Sequence, residues 1–323
     1  MRILIISSIL ITLFSSSAYA FWPFTVRSDM VGYCAPCWGE NNKIYFIKKV
    51  TFGRAISGKT ALHAILFMGG SYFADHTEVY LCSMNYDGTD KKEIVKIGDT
   101  DDDTYWLPMY LDYCQVKNLL LLSGGAIPSG GTSHGIWTIK TDGTGLKRIL
   151  DAGMHASSSP DGKRIVYQLQ EPDSNSWDNF SETIWVMNAD GTNKHKISSD
   201  GTNPIWSPKD DLIAFTCKDW IWVMKPDGSE RRRVKEGSYF FGWLPDGKGI
   251  ISSGGSETGW SISDLNGNII RKPKWGGYVS LDGRSIFTLD FTVFDIDRKV
   301  EIKPLADIKH SEHFVYKKPN NMW

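Results

Sequence analysis

The chain has 323 residues with 36 basic and 37 acidic side chains, a formal charge of −1. That balance excludes the domain-wide basicity expected of a nucleic-acid binder, and the length suits one large domain or two ordinary ones. With 13 Trp, 31 Gly and few long helical patterns, the composition leans towards an all-β protein.

In chain order, the opening segment MRILIISSILITLFSSSAYA comes first. A basic Arg2, an apolar run from Ile3 to Phe14 and an Ala18-Tyr19-Ala20 ending form the pattern of a secretory signal peptide. The run is too short to cross a bilayer, no Cys follows the cleavage point, and no direct membrane insertion is expected. A mature protein starting near Phe21 is expected in the periplasm or another extracytoplasmic location. Losing Arg2 from the 36 basic residues against 37 acidic ones takes the charge to −2. The organisation reads as a signal peptide over 1–20, a lead-in over 21–42, a repeat region over 43–305 and a tail over 306–323.

The repeat region is punctuated by Asp-Gly turns at Asp87-Gly88, Asp142-Gly143, Asp190-Gly191 and Asp227-Gly228. Asn266-Gly267 gives a fifth turn, and Asp297-Arg298 a weaker sixth. Asp-Gly and Asn-Gly tolerate the positive φ values of a two-residue hairpin turn. A second mark lies upstream: SSPDGKRIVY from Ser158, WSPKDDLIAF from Trp206, WLPDGKGII from Trp243 and VSLDGRSIF from Val279, with YCQVKNLLLL from Tyr113 as a degenerate version. Each unit therefore reads strand A, turn, strand B, variable loop, strand C, Asp-Gly turn, strand D. In the third strand, as in IWVM from Ile184, every residue is apolar, which fits a strand covered on both faces. Four short antiparallel strands at this period predict a β-propeller, most simply of six blades, with five or seven as neighbouring counts. In the first blade, KIYFIKKVTF from Lys43 and LHAILFMGG from Leu62 compete as second strand. The tail EHFVYKKPNN from Glu312 offers a ring-closing strand.

Pairing WSPKDDLIAF or SSPDGKRIVY with IWVMNADGT resembles the WD40-like repeats of the TolB propeller family over roughly residues 40–305. The resemblance implies the propeller and not one activity. TolB carries an α/β domain ahead of its propeller that makes its TolA contact, whereas about twenty residues separate the cleavage site from the first strand here. Related propellers in dipeptidyl peptidase IV-like enzymes are followed by a hydrolase domain, which the short stretch after Pro304 does not resemble.

Topology sorts the loops. The A–B and C–D turns share one rim and are stereotyped; the B–C and D–A connections share the other and vary. Long variable loops on a rigid scaffold are where function usually sits. The variable rim carries Trp106, His134, Trp177, Trp275 and Tyr278. Counting back from the Pro or its equivalent puts Cys34, Tyr110, His155, Asn203, Phe240 and Gly276 at matching inner-strand starts, ringing the channel mouth. Plugging the channel is the preferred reading of this ring, and ligand or partner binding is the functional one.

Several local motifs are weighed against plainer readings. GTSHG, with Ser133 central, has the letters of a nucleophile elbow, but a Gly-rich loop precedes it and strand IWTI follows, where the elbow needs a strand and then a helix. CAPC lacks the helix that lowers a redox Cys pKa. In an exported chain a structural disulfide involving Cys34 or Cys37 is the preferred expectation, ahead of thiols, and the five cysteines leave at least one unpaired. Cys82 takes the place of the blade Trp, so a buried inert role is its default. Asp101, Asp102 and Asp103 suit Ca²⁺ in ligand type but not in EF-hand spacing, so a solvated loop is preferred. HSEH, with His310 and His313, carries a weak metal pattern, and Arg231 to Arg233 read as charge blunting an outer strand edge. Asn179 heads an Asn-Phe-Ser sequon.

No catalytic set converges and no cofactor is implied. The leading expectation is a non-catalytic propeller that binds protein partners as a scaffolding or assembly subunit of an extracytoplasmic complex. The alternative is a lyase- or lactonase-like enzyme, or a small-ligand or carbohydrate binder, using the channel mouth.

Overall fold

The computed structural model describes residues 25–27, 30–56, 72–100, 110–124, 135–173, 180–237, 240–253, 259–273, 276–288, 292–295, 301–302 and 315–316. The first sheet holds β1 (Thr25–Arg27), β2 (Met30–Trp38), β3 (Lys43–Ile56), β4 (Tyr72–Asn85) and β5 (Lys92–Thr100). The second is β6 (Tyr110–Cys114), β7 (Leu119–Ser123), β8 (Ile136–Lys140) and β9 (Lys147–Leu150). The third is β10 (Met154–Ser158), β11 (Arg164–Pro172), β12 (Phe180–Asn188) and β13 (His195–Ser198). The fourth is β14 (Thr202–Trp206), β15 (Ile213–Cys217), β16 (Trp220–Met224) and β17 (Arg232–Glu236). The fifth is β18 (Phe240–Trp243), β19 (Gly249–Ser253), β20 (Trp260–Asp264) and β21 (Ile269–Arg271). The sixth is β22 (Tyr278–Val279), β23 (Ser285–Phe287), β24 (Val293–Asp295) and β25 (Glu301–Ile302). A last strand, β26 (Val315–Tyr316), pairs with β2.

Sheets two to six are antiparallel meanders in sequence order. The first-strand members touch in turn, β2 to β6 to β10 to β14 to β18 to β22, and β22 returns to β2. The ring is a six-bladed β-propeller. Its core is six separate apolar slabs, one between each pair of neighbouring blades. The all-apolar C strands produce this arrangement. In β16, Ile221 and Val223 pack towards blade 5 while Met224 packs towards blade 3, so neither face of the sheet is left wet.

Turn chemistry fixes the C–D hairpins of blades 1 to 5, with positive φ at the Gly of each pair alone. The loop has three residues in place of the expected two, as the Asn188 N–H donating to the Thr192 carbonyl shows. The Asp297-Arg298 turn lies outside the described residues. Gly88, Gly143, Gly191, Gly228 and Gly267 all have φ between 83° and 88°. The preceding Asp closes the turn: Asp190 Oδ1 accepts from the Thr192 N–H at 2.9 Å and its hydroxyl at 2.6 Å. Asp87 and Asp142 repeat this with Thr89 and Thr144. At Gly191 a Cβ would also lie 2.5 Å from the Ile149 carbonyl oxygen, so the turn packs directly on the outer strand of the blade before.

Three boundaries are sharper than the sequence reading. KIYFIKKVTF is the second strand of blade 1, and LHAILFMGG lies outside the described residues. The inner strand β2 begins at Met30, so the division between lead-in and propeller at 42/43 falls inside the first sheet. It was hidden because Cys34–Trp38 lacks the Ser-Pro-Asp-Gly signature. The tail strand β26 pairs Met30 with Tyr316 and Val31 with Val315, so the chain after blade 6 returns to the first sheet, beside its strand β2.

The basic run is also more than edge blunting. Arg231 Nη1 donates to Asp200 Oδ1 at 2.6 Å and Ser198 Oγ at 3.1 Å on blade 3, with its guanidinium 4.6 Å from the Trp222 ring centre. Arg232 donates to the Leu265 carbonyl of blade 5 at 2.6 Å. Arg233 stacks over Trp220 and Trp222. Three consecutive side chains thus serve three different contacts across blades 3 to 5.

Candidate functional site

The axial lining is set by one feature of the inner strands. Their pairing with the B strands slips by a residue between Met154 and Ser157, between Thr202 and Ile205, between Phe240 and Gly242 and between Cys34 and Cys37. Such β-bulges bend a strand and re-aim its side chains. In three of them the bulged residue is left-handed: Ala35 at φ 51°, His155 at 50° and Asn203 at 52°. His and Asn are among the non-glycine residues that adopt this conformation most readily.

This register brings together Tyr110, His155, Asn203 and Phe240 as expected, with one correction. In blade 1 the residue level with His155 is Ala35, not Cys34: Trp38 pairs with Ile44 as Trp206 does with Ile213, so Glu40 takes the place of Pro208 and the count of five ends at Ala35. Cys34 sits instead at the interface with blade 2, where burial pushes its thiol up to about 12 against the opposing charge of Lys49. Gly276 is buried, and a Cβ there would lie 2.1 Å from the Trp260 ring, so this position serves packing against blade 5. The expected disulfide is absent: none of the five cysteines is in one. Cys37 is a buried thiol whose pKa burial, then the Asp112 charge, raise well above the ordinary value.

Within the upper ring, the Tyr110 and His155 rings lie 3.6 Å apart centre to centre at 36°. Burial pulls the His155 pKa down to about 4, with the Asn203 side chain pulling the other way, so the imidazole is neutral at pH 7. Its Nδ1 is buried without a hydrogen-bond partner among the described residues. Asn203 ties three blades: its N–H donates to Gln168 Oε1 at 2.9 Å, and its Nδ2 donates to the Phe240 carbonyl at 2.6 Å. Gln168 Nε2 in turn donates to Glu182 Oε2 at 2.6 Å.

A second layer lies two residues further along; of its members the sequence reading named only Cys37, as a disulfide candidate, and Tyr278, which it put on the variable rim and which stands instead on the inner strand β22. Cys37, Asp112, Ser157, Ile205, Gly242 and Tyr278 pair with Tyr45, Leu121, Val166, Ala214, Ile251 and Phe287, the same B-strand position in all six blades. Repeating the count two residues nearer the turn would have found it. Asp112 accepts from the Ser158 N–H at 2.9 Å, the Ser158 hydroxyl at 2.8 Å and the Ser157 hydroxyl at 3.4 Å. Burial nevertheless raises its pKa above the ordinary aspartate value. The Tyr278 hydroxyl is pushed up to about 12 by burial, then by Tyr110 and Cys37.

Chemically, the lining presents one carboxyl, one neutral imidazole, two protonated tyrosines and an amide. Acid–base hydrolysis uses a poised pair of groups, and Asp112 has its oxygens occupied by serine donors. No group of three His, Cys, Asp or Glu side chains suited to a metal occurs among the described residues. Trp106, His134, Trp177, Trp275, Asp101, Asp102, Asp103, Ser133, Asn179, His310 and His313 lie outside the described residues.

On the variable rim, two B–C hairpins are the longest among the described residues. Blade 4 and blade 5 pair B and C strands over five positions. Blade 3 pairs them from Arg164 with Asn188 out to Pro172 with Phe180, and blade 1 from Lys43 with Asn85 out to Ala55 with Tyr72. At ~3.3 Å per residue, the blade 1 arm reaches about 25 Å further than a blade 4 hairpin. β1 pairs along its far end.

No family model matches the chain, and no curated protein does. Similar solved structures include an oligogalacturonate lyase in complex with manganese, 12% identical over 84% of each chain with a TM-score of 0.45. The β-propeller domain of the Trilobed protease from Pyrococcus furiosus is 9% identical over 84% of this chain and 94% of that one, TM-score 0.46. The Pyrococcus horikoshii acylaminoacyl peptidase is 13% identical over 82% of this chain and 44% of that one, TM-score 0.48. Likenesses this distant carry nothing about activity.

Proposed function

We propose that this chain is an exported propeller with TolB-type repeats that holds a protein partner on its variable rim, as a non-catalytic subunit of an extracytoplasmic assembly. The observation that carries the reading is the pair of long hairpins on blades 1 and 3. An arm about 25 Å longer than a blade 4 hairpin carries β4 beyond Thr77, its last described pairing with β5, so a partner that packs on it is the natural completion. The neutral, internally bonded axial lining supports the same reading, since it has no free acid–base pair.

The test is gentle purification from the native host with cross-linking, alongside a variant in which the segment between Val50 and Glu78 is replaced by Asn-Gly. The wild type should migrate in a larger assembly, and the shortened propeller should fold but leave it. A wild-type chain that runs alone as a monomer at native levels would overturn the proposal. One observation favours a second reading as a small-ligand binder: the buried, unpartnered Nδ1 of His155. It predicts a ligand-dependent shift of the His155 ring resonances, with no change of assembly.

A further inference from the structure

In blades 2, 3 and 4 the residue facing the C-strand Trp from strand D is basic: Trp137 with Arg148, Trp185 with Lys196 and Trp222 with Arg233. Each cation lies over its ring, at 5.0, 5.6 and 5.1 Å from the centre. The negative ring face offsets part of the positive charge. Blade 5 keeps the cation and loses the ring. Aligned on the turn, Ser261 takes the Trp place and is 2% exposed, while Lys272 takes the basic place.

Into this position comes a second cation from the neighbouring blade. Lys235, on the outer strand of blade 4, reaches across the seam and its Nζ donates to Ser261 Oγ at 2.5 Å. Arg271 pairs with Ile262, so the next residue, Lys272, stands level with Ser261; burial, then the charge of Lys272, lower the Lys235 pKa. Neither belongs to an ion pair among the described residues, whereas Lys163, Arg164, Lys196, Lys225 and Arg231 of blades 3 and 4 do. Arg232 crosses the same seam with only a carbonyl partner. The nearest carboxylate in sequence, Glu236, is exposed and faces Trp220. Beside the seam, β21 pairs only with β20, and its Ile269 and Ile270 are 49% and 60% exposed.

We propose that the seam between the outer strands of blades 4 and 5 docks an acidic, extended segment of a partner protein, its carboxylates at Lys235 and Lys272 and its apolar side chains on Ile269 and Ile270. Charge complementarity names the occupant. Two ammonium groups directed at Ser261, with no counter-charge among the described residues, repel each other, and a carboxylate between them removes that repulsion. The open edge of β21 can accept an extended backbone in register, with alternate side chains giving specificity. The surface faces outwards from the ring, so it stands or falls apart from the rim reading above.

The test uses the whole mature chain and a fluorescent peptide of alternating Glu and Val, with a Lys-Val peptide and anionic phosphatidylglycerol vesicles as competitors for the assignment. The Glu-Val peptide should bind with an affinity that falls as salt rises. Lys235→Gln and Lys272→Gln should each weaken it about threefold to fivefold, as expected for part-exposed charge pairs, and the double variant about tenfold or more. Lys147→Gln on blade 2 should leave it unchanged. By NMR, Lys272→Gln and bound peptide should each raise the Lys235 pKa. No binding of the Glu-Val peptide, equal binding by the double variant, equal binding of the Lys-Val peptide, or binding of vesicles alone would each overturn the proposal.

Discussion

Blade 4 and blade 1 share one topology and are built to different ends. Blade 4 is compact: five-residue strands, an inner bulge at Asn203, and Trp222 held between Arg231 and Arg233. Blade 1 has the same strand order, but Cys82 faces Glu93 where in blades 2, 3 and 4 a Trp faces a cation, and its second and third strands run 14 residues each. Repetition marks what burial between neighbours demands, and departure from it marks what burial does not require.

The largest effect should come from breaking the compact blade. Phe215 is fully buried between blades 3 and 4, so Phe215→Ala should cost about 3–5 kcal/mol, read by chemical denaturation. Its counterpart on the arm is Phe52, half-buried and stacked on His76 at 4.4 Å. Phe52→Ala should cost about 1 kcal/mol and leave the unfolding midpoint of the ring nearly unmoved. Equal losses would show that the arm is part of the core.

Next comes Arg231→Gln, which removes the contact to Asp200 and the cation over Trp222. Both partners are part-exposed, so the loss should be about 1–2 kcal/mol at pH 7. The Arg231 bond, first among several, draws the Asp200 pKa down to about 2. A depressed folded pKa contributes stability above the unfolded value of ~3.9, lost as pH falls below it. The gap between wild type and variant should therefore close from about pH 4 towards pH 2, measured by urea midpoints across pH.

His155 contributes a slope of the same sign in another window. Its folded pKa is about 4 against ~6.5 unfolded, so the unfolded chain takes up the proton first. Stability should fall as pH drops from about 6.5 to 4, and His155→Gln should flatten that part of the profile. The smallest effect belongs to Arg148, exposed over Trp137 and near Asp151. Arg148→Ala should cost about 0.5 kcal/mol, a reference for how little an outer cation matters when its ring is present.

Much of this was legible because turn chemistry is local. Asp190-Gly191 announces its hairpin, and Trp185 with Lys196 follows at fixed spacing. The upper axial ring was legible for Tyr110, His155, Asn203 and Phe240 by counting from the turn, and slipped by one at Cys34 because blade 1 has no Pro to mark where the count begins. Asp112 with Ser157 and Ser158, and Asp200 with Arg231, were not legible. Those pairs join different blades, and a sequence aligned blade on blade carries no register between neighbours. The lost indole at Ser261 was visible as a substitution, but its meaning appears only when Lys235 arrives from the next blade.

The way the ring closes has a mechanical consequence. Five blade boundaries are crossed by blade-to-blade connections, and the boundary between blades 6 and 1 by the tail, whose β26 pairs with β2. At the same seam the Trp38 indole donates to the Tyr278 carbonyl at 2.8 Å, and Phe287 meets Trp38 edge-on. The tail is a clasp on the ring. Removing it should leave this seam the first to part under load, while the other five slabs stay shut.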